Sequence, residues 1–223
     1  MASSKQSNTL NTINDAFRDF ILKKDHPCIM ANTVFSMDKY SINYYDKLGS
    51  IKTAKALLAD LTHYVENYNF DNKEFESFIA VFPETEVVSE IEFEKLLWQQ
   101  LQFLHNLDTV TWDENVSSDP EDSNFSFSLA GKAFYVVGLH PKASRMARRA
   151  PYTTLVFNLH SQFEKLREMG VYKNVRDKIR ERDKELQGSV NPVLEDFGES
   201  SEARQYSGRN VGEAWKCPFH NKA

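Results

Sequence analysis

Three short runs in the chain, FIAVF (78–82), AFYVVGL (133–139) and YTTLVFNL (152–159), are almost wholly apolar and rich in β-branched and aromatic residues. Each is too short for a buried helix and each is bounded by polar or turn-forming residues, a pattern that predicts strands. NFSFSLA (124–130) alternates apolar and polar residues and meets AFYVVGL across Gly131-Lys132, which predicts a hairpin. CIMANTVF (28–35), apolar and partly β-branched, reads as a further strand.

Between these runs the apolar period changes to that of a helix. Leu10, Ile13, Phe17, Phe20 and Ile21 predict a helix over 9–23 closed by Lys23 and Lys24. Ala54, Leu57, Leu58, Leu61 and Val65 predict a second, and Phe93, Leu96, Leu97, Leu101 and Leu104 a third that ends near His105. Ser161 and Glu164 have the spacing of a capping box opening a charged helical region to about residue 187, broken at Gly170 and ended by Gly188. The order implies an α+β fold, a mixed, mainly antiparallel sheet covered by helices, in one domain over residues 1–223. With 41% hydrophobic residues, 16 Phe and 9 Tyr, the chain has a core's worth of apolar volume without staples.

Two segments depart from this pattern. Residues 108–124 hold six acids and no base and lack periodicity, which predicts a loop. Residues 188–223 form a long irregular C-terminal segment, and Phe197, Tyr206, Trp215 and Phe219 are spaced as anchors that wrap it over the domain. Only two cysteines occur, no apolar run approaches the roughly 18 residues of a membrane span, and MASSKQSNTLNTIN has no signal-peptide core, so a cytoplasmic protein off the membrane and without a structural disulfide is expected.

Charge is uneven. The net charge is -5, yet residues 131–187 hold thirteen Lys and Arg against six Asp and Glu. A basic segment attracts phosphate, but the chain is acidic and has no RNA-binding platform, so no nucleic-acid partner is expected. Within that segment Arg145, Arg148 and Arg149, between Pro141 and Pro151, would share a face of a short helix and could hold an anionic ligand or form a solvated basic face. His140 and His160 each follow the end of a predicted strand and, if those strands are neighbours, emerge at one sheet edge as candidate metal or heme ligands. A thiolate of Cys28 or Cys217 can also ligate heme iron, and Cys217 with His220 has a zinc-like spacing, although a buried structural role is the plainer reading of Cys28. Glu199, Glu202 and Glu213 could receive a cationic guanidinium or amine, or be solvated.

The runs GLHPKASRMARR, FNLHSQFEKLREMGVY, IRERDKELQGSVNPVLEDFG and SEARQYSGRNVGEAWKCPF, with HPCIMA near the start, resemble the YqcI/YcgG family over about residues 25–219. That family includes the heme-dependent N-hydroxylase of guanitoxin biosynthesis. The resemblance implies a heme b-dependent N-oxygenase acting on a guanidino or amino nitrogen of a small amino-acid-like substrate, with molecular oxygen or peroxide as co-substrate and an external reductase where oxygen is used. A non-catalytic heme carrier or sensor, its iron saturated by two protein ligands such as His140 and His160, is the alternative. His140 is the first choice of ligand, then His160 and Cys217. Arg145, Arg148, Arg149, Arg209 and Trp215 are candidate cofactor contacts, and Glu202, Arg204 and Tyr206 candidate catalytic residues. A homodimer is left open.

Overall fold

In a computed structural model of the chain, residues 2–72, 74–191 and 196–222 are described; residues 192–195, part of the tail expected to wrap the domain, lie outside them. Five strands, β1 (Tyr40–Tyr44), β2 (Ser77–Phe82), β3 (Phe127–Leu129), β4 (Lys132–Leu139) and β5 (Thr153–Leu159), form one sheet in the order β1-β2-β5-β4-β3. β1 and β2 are parallel and the other neighbours antiparallel, so the fold is α+β with the mixed, mainly antiparallel sheet expected. The helices are α1 (Ala2–Arg18), α2 (Ile29–Ser36), α3 (Ile51–Asn67), α4 (Glu90–Leu107), α5 (His160–Glu168), α6 (Tyr172–Gln187) and α7 (Ala203–Tyr206). A π-helical turn, Asp19–Lys23, prolongs α1. Among the described residues no helix is long and apolar enough to cross a membrane.

The strands are apolar on both faces because both faces are covered. Successive side chains of a strand point to opposite sides, so Phe78, Ala80 and Phe82 of β2 pack under α3 and α4 while Ile79 and Val81 face α1, its π turn and α2. In β4 and β5, Phe134, Val136, Leu155 and Phe157 join the first cluster, and Val137, Leu139 and Val156 the second. Helix α4 lies against β4 at Gly138, where a Cβ would fall 2.7 Å from Phe93 Cε1 and 2.8 Å from Leu97 Cδ1. Only a residue without a side chain admits that approach.

Four local expectations are corrected. Residues 28–35 are not a strand: Cys28 caps α2, its Sγ accepting from Ala31 N, and Asn32 donates to the carbonyls of His26 and Cys28, which secures the first turn. The apolar run carried no period to separate the two structures. β1 was not expected, although YSINY alternates in the manner of an edge strand. Between Pro141 and Pro151 there is only a 3-10 turn, Met146–Arg148. At α5 the capping box does not form, because the helix springs directly from β5, Ser161 Oγ is buried without a partner and Glu164 reaches His160 Nε2 at 3.0 Å. The break at Gly170 and the stop at Gly188 stand, the latter in the left-handed region (φ 79°) that closes α6.

The acidic segment 108–124 contains no named helix or strand, as expected, and its acids have structural work. Asp108 accepts from Ala130 N at 2.7 Å and Asp113 from Ala133 N at 2.9 Å, binding both sides of the β3–β4 turn. From the contact at Gly138 we expect Gly138→Ala to destabilise the fold by about 2 kcal/mol through overpacking. A urea midpoint unchanged from wild type would show that α4 and β4 separate freely.

Candidate functional site

Between the second face of the sheet and the helices α1, α2, α5 and α6 lies a cavity of about 320 Å³. That is at the lower end of ligand-sized cavities. Its floor is aliphatic, with Ile79, Val137 and Val156 contributed by three strands, and Phe17 covers it from α1. The chemistry sits at the margins: Cys28, His26, Arg148, Tyr135 and Glu202 line the wall.

These groups differ in how far they are committed. His26 lies 2.9 Å from Ala147 O through Nε2 and accepts from Cys28 N at 3.2 Å through Nδ1, so both ring nitrogens are occupied; burial pushes its pKa below the usual range. Cys28 has only the weak bond from Ala31 N, at 3.5 Å, and burial raises its pKa against the opposing pull of nearby backbone N–H groups and Arg148. Burial keeps it a thiol, and a soft metal ion would displace the proton. Tyr135 donates to Gln205 Oε1 at 3.0 Å.

The three arginines do not share a face. Arg145 is buried and paired with Asp183 of α6, and it also reaches Ser189 Oγ at 2.9 Å. Arg148 is buried and turns inward to carbonyls, and Arg149 is exposed and donates to Ala143 O and Ser144 O. A 3-10 turn in place of a helix removes the common stripe. Much of the remaining basic charge is neutralised locally: Arg176 and Arg180 meet Asp196, and Arg182 meets Asp25 at 2.6 Å.

His140 and His160 stand at opposite ends of their strands, because β4 and β5 are antiparallel. Leu139 pairs with Thr154 near the start of β5, whereas Leu159 pairs with Phe134 near the start of β4. His140 packs on Phe93 of α4 with ring centroids 4.4 Å apart, on the face of the sheet away from the cavity, and its Nδ1 is buried without a partner. Cys217 is on that face too; burial lifts its thiol to about 12. Both cysteines are free, and no cluster of three or more metal-binding side chains occurs among the described residues.

The tail residues form a clamp. Glu94, buried on α4, accepts from Arg209 Nη2 at 2.7 Å and Nε at 3.1 Å, from Ser207 Oγ at 2.9 Å and from Trp215 Nε1 at 3.1 Å. Tyr206 is fully buried, accepts from Phe127 N at 3.0 Å and stacks on Trp98. Arg204 donates to Gly212 O at 2.7 Å and faces the Trp215 ring. Phe219 closes the cluster against Trp112, Phe125 and Phe127. Arg204, Tyr206, Arg209 and Trp215 are therefore joined away from the cavity, and of the four aromatic anchors of the tail Phe197 borders it.

Of the three candidate glutamates named from the sequence, Glu202 is buried and reaches the cavity; Glu199 and Glu213 are exposed. Its Oε2 is 3.3 Å from Tyr206 Oη and its Oε1 is 3.6 Å from His160 Nδ1. For His160 burial disfavours the imidazolium, but Glu202 and Glu164 outweigh burial and the repulsion of Arg167, so its pKa is raised. Phe197 meets its ring edge-on, with centroids 4.4 Å apart. The sequence placed Glu202 among the candidates; it offered no sign that Cys28, read there as a structural cysteine, would face a cavity, because the second wall comes from α6 and the tail.

The chain thus defines a class: an α+β protein whose mixed sheet floors an apolar cavity bordered by one thiol, by carboxylates and by buried guanidinium groups. It belongs to the YqcI/YcgG family, whose profile matches residues 17–220. Two relatives from Bacillus subtilis (strain 168) are similar over most of their length. The uncharacterized protein YqcI is 26% identical over 96% of this chain and 87% of its own, and the uncharacterized protein YcgG is 27% identical over 86% and 80%. No solved structure matches the chain significantly.

Two outcomes are expected here. Glu94→Ala leaves Arg209 and Trp215 without their acceptor and should cost about 2–4 kcal/mol, with proteolytic cleavage appearing after Ser207; a tail as protected as in wild type would remove the clamp. Because the folded pKa of His160 is raised, its stabilisation is complete below about pH 6.5 and fades as pH rises through the folded value. His160→Gln should flatten that part of the stability profile, and an unaltered slope would place the titration elsewhere.

Proposed function

We propose that the chain is a heme-dependent N-oxygenase whose porphyrin occupies the cavity between the sheet and α1, α2 and α6, acting on a guanidino or amino nitrogen of a small molecule. The observation that carries the reading is the donor set: a mainly apolar cavity with the Cys28 thiol and a guanidinium at its wall. This fits a heme in kind, since the apolar macrocycle takes the floor, a thiolate can hold the iron and its propionates are anionic. Bound heme would supply oxygen activation, from molecular oxygen with electrons from an external reductase or from peroxide directly.

The chain's own residues supply binding and orientation. Cys28 is the ligand of choice; it stands at the start of α2, where the helix dipole and N–H groups favour a thiolate. His140 lies across the sheet, and His160 is engaged with Glu164 and Phe197. Glu202, buried at the wall, is the carboxylate available to a cationic substrate nitrogen, held by Tyr206 and bordered by His160. The aliphatic walls exclude water from that pair, which strengthens it.

A lone thiol, with no second cysteine and no free imidazole beside it among the described lining residues, favours an enzyme over a carrier or sensor with two strong protein ligands. His26, the other donor in the cavity, has both nitrogens bonded, and His140 and His160 are at opposite strand ends. The test is the absorption spectrum of protein purified from cells supplied with a heme precursor. We expect a thiolate-ligated heme that Cys28→Ala loses or shifts and His140→Ala preserves, followed by turnover of arginine-like compounds that Glu202→Gln weakens. A colourless wild type that refuses hemin would end the reading.

A further inference from the structure

Arg148 differs from the other buried or half-buried arginines of the basic segment. Arg145, Arg176, Arg180 and Arg182 each reach a carboxylate. Arg148 is only 9% exposed, and its guanidinium meets neutral oxygens: Nη1 donates to Gly138 O at 3.0 Å and Tyr206 O at 3.4 Å, Nη2 to Gln205 O at 3.3 Å, and the Tyr135 side chain lies beside it. Among the described residues no carboxylate lies within ion-pair distance of it. The aliphatic stem passes over Gly208, where a Cβ would come within 3.2 Å of Arg148 Cγ, so the fork is held in place.

A guanidinium does not shed its proton in a protein, and carbonyl dipoles hold a full charge without neutralising it. A buried cation in that state is costly until an anion joins it. Among the described residues the carboxylates that line the cavity are engaged elsewhere: Asp183 with Arg145, Asp196 with Arg176 and Arg180, and Glu202 with Tyr206 and His160. Burial keeps Cys28 and Tyr135 in their neutral forms. The remaining direction is the cavity, whose wall Arg148 forms.

We infer that the occupant of the cavity is an amphipathic carboxylate and that Arg148 binds its carboxylate. One fixed guanidinium neutralises one negative charge, which suits a carboxylate better than a phosphate dianion. The aliphatic floor takes the rest of the molecule. Two sources share this chemistry, a porphyrin propionate and a long-chain fatty acid. The inference rests on the cavity being the ligand site, as the heme reading does, and names the feature by which that ligand is selected.

The purified apoprotein should be titrated with hemin, with hemin dimethyl ester and with palmitate, in wild type, Arg148→Met and Arg148→Lys, with thermal melting alongside. Wild type is expected to prefer hemin to its ester by about 10- to 100-fold, Arg148→Met to lose the preference, and Arg148→Lys to retain part of it. Carboxylate ligands should raise the melting temperature of wild type far more than that of Arg148→Met. Palmitate binding that depends on Arg148, with hemin refused, keeps the inference and removes the heme reading. Hemin and ester bound equally by wild type, or a preference that survives in Arg148→Met, overturns the inference and leaves the heme reading standing. If Arg148→Met does not fold, the wild-type comparison and the lysine variant decide. Refusal of both carboxylates by wild type overturns both.

Discussion

The two-sided burial of β4 and β5 governs the rest of the molecule. Each successive residue of these strands must enter one of two apolar layers, and the choice alternates with the pleat. Phe134, Val136 and Gly138 go to the layer built by α3 and α4, which is packed so closely that Phe93 touches the Gly138 backbone. Tyr135, Val137 and Leu139 go to the other, where helices α1, α2, α5 and α6 enclose a cavity. One layer is solid core and the other is a container, and the alternation assigns His140 to the first and the Tyr135 phenol to the second.

The tail connects the layers. Glu94 gathers Ser207, Arg209 and Trp215 on the packed side, and Tyr206 anchors α7 beside it. That anchoring carries Glu202 and Gln205, on the same short stretch, to the cavity. Residues of the packed layer therefore position Glu202 at the cavity wall. Loss of function at Arg209 or Trp215 would report a displaced wall and not a missing catalytic group.

Much of the fold was legible because periodicity is a local property. α3, α4, β2, β4 and β5 announced themselves by apolar spacing, and Gly170 and Gly188 by the backbone freedom a helix end demands. Residues 28–35 misled because a short apolar run satisfies strand and helix alike until Cys28 is seen capping it. The site was far less legible. Whether His140 neighbours His160 depends on strand direction, and whether Arg145 is available depends on Asp183, 38 positions onward. Cys28 and Arg148 meet only when the sheet, α2 and the turn before β5 are assembled. Glu202 was reached by its carboxylate chemistry alone, without sign of its burial.

Order of synthesis gives the clamp at Glu94 a further meaning. The rings of Trp98, Phe125 and Phe127 receive their cover from Tyr206 and Phe219, the last of these side chains to leave the ribosome. Until then an aromatic surface large enough to stick to other nascent chains stands open, and the cavity lacks the side chain of Glu202. Because that cover lies far downstream of Trp98 in the chain, the packed layer closes only after the tail has joined it, and folding is ordered accordingly.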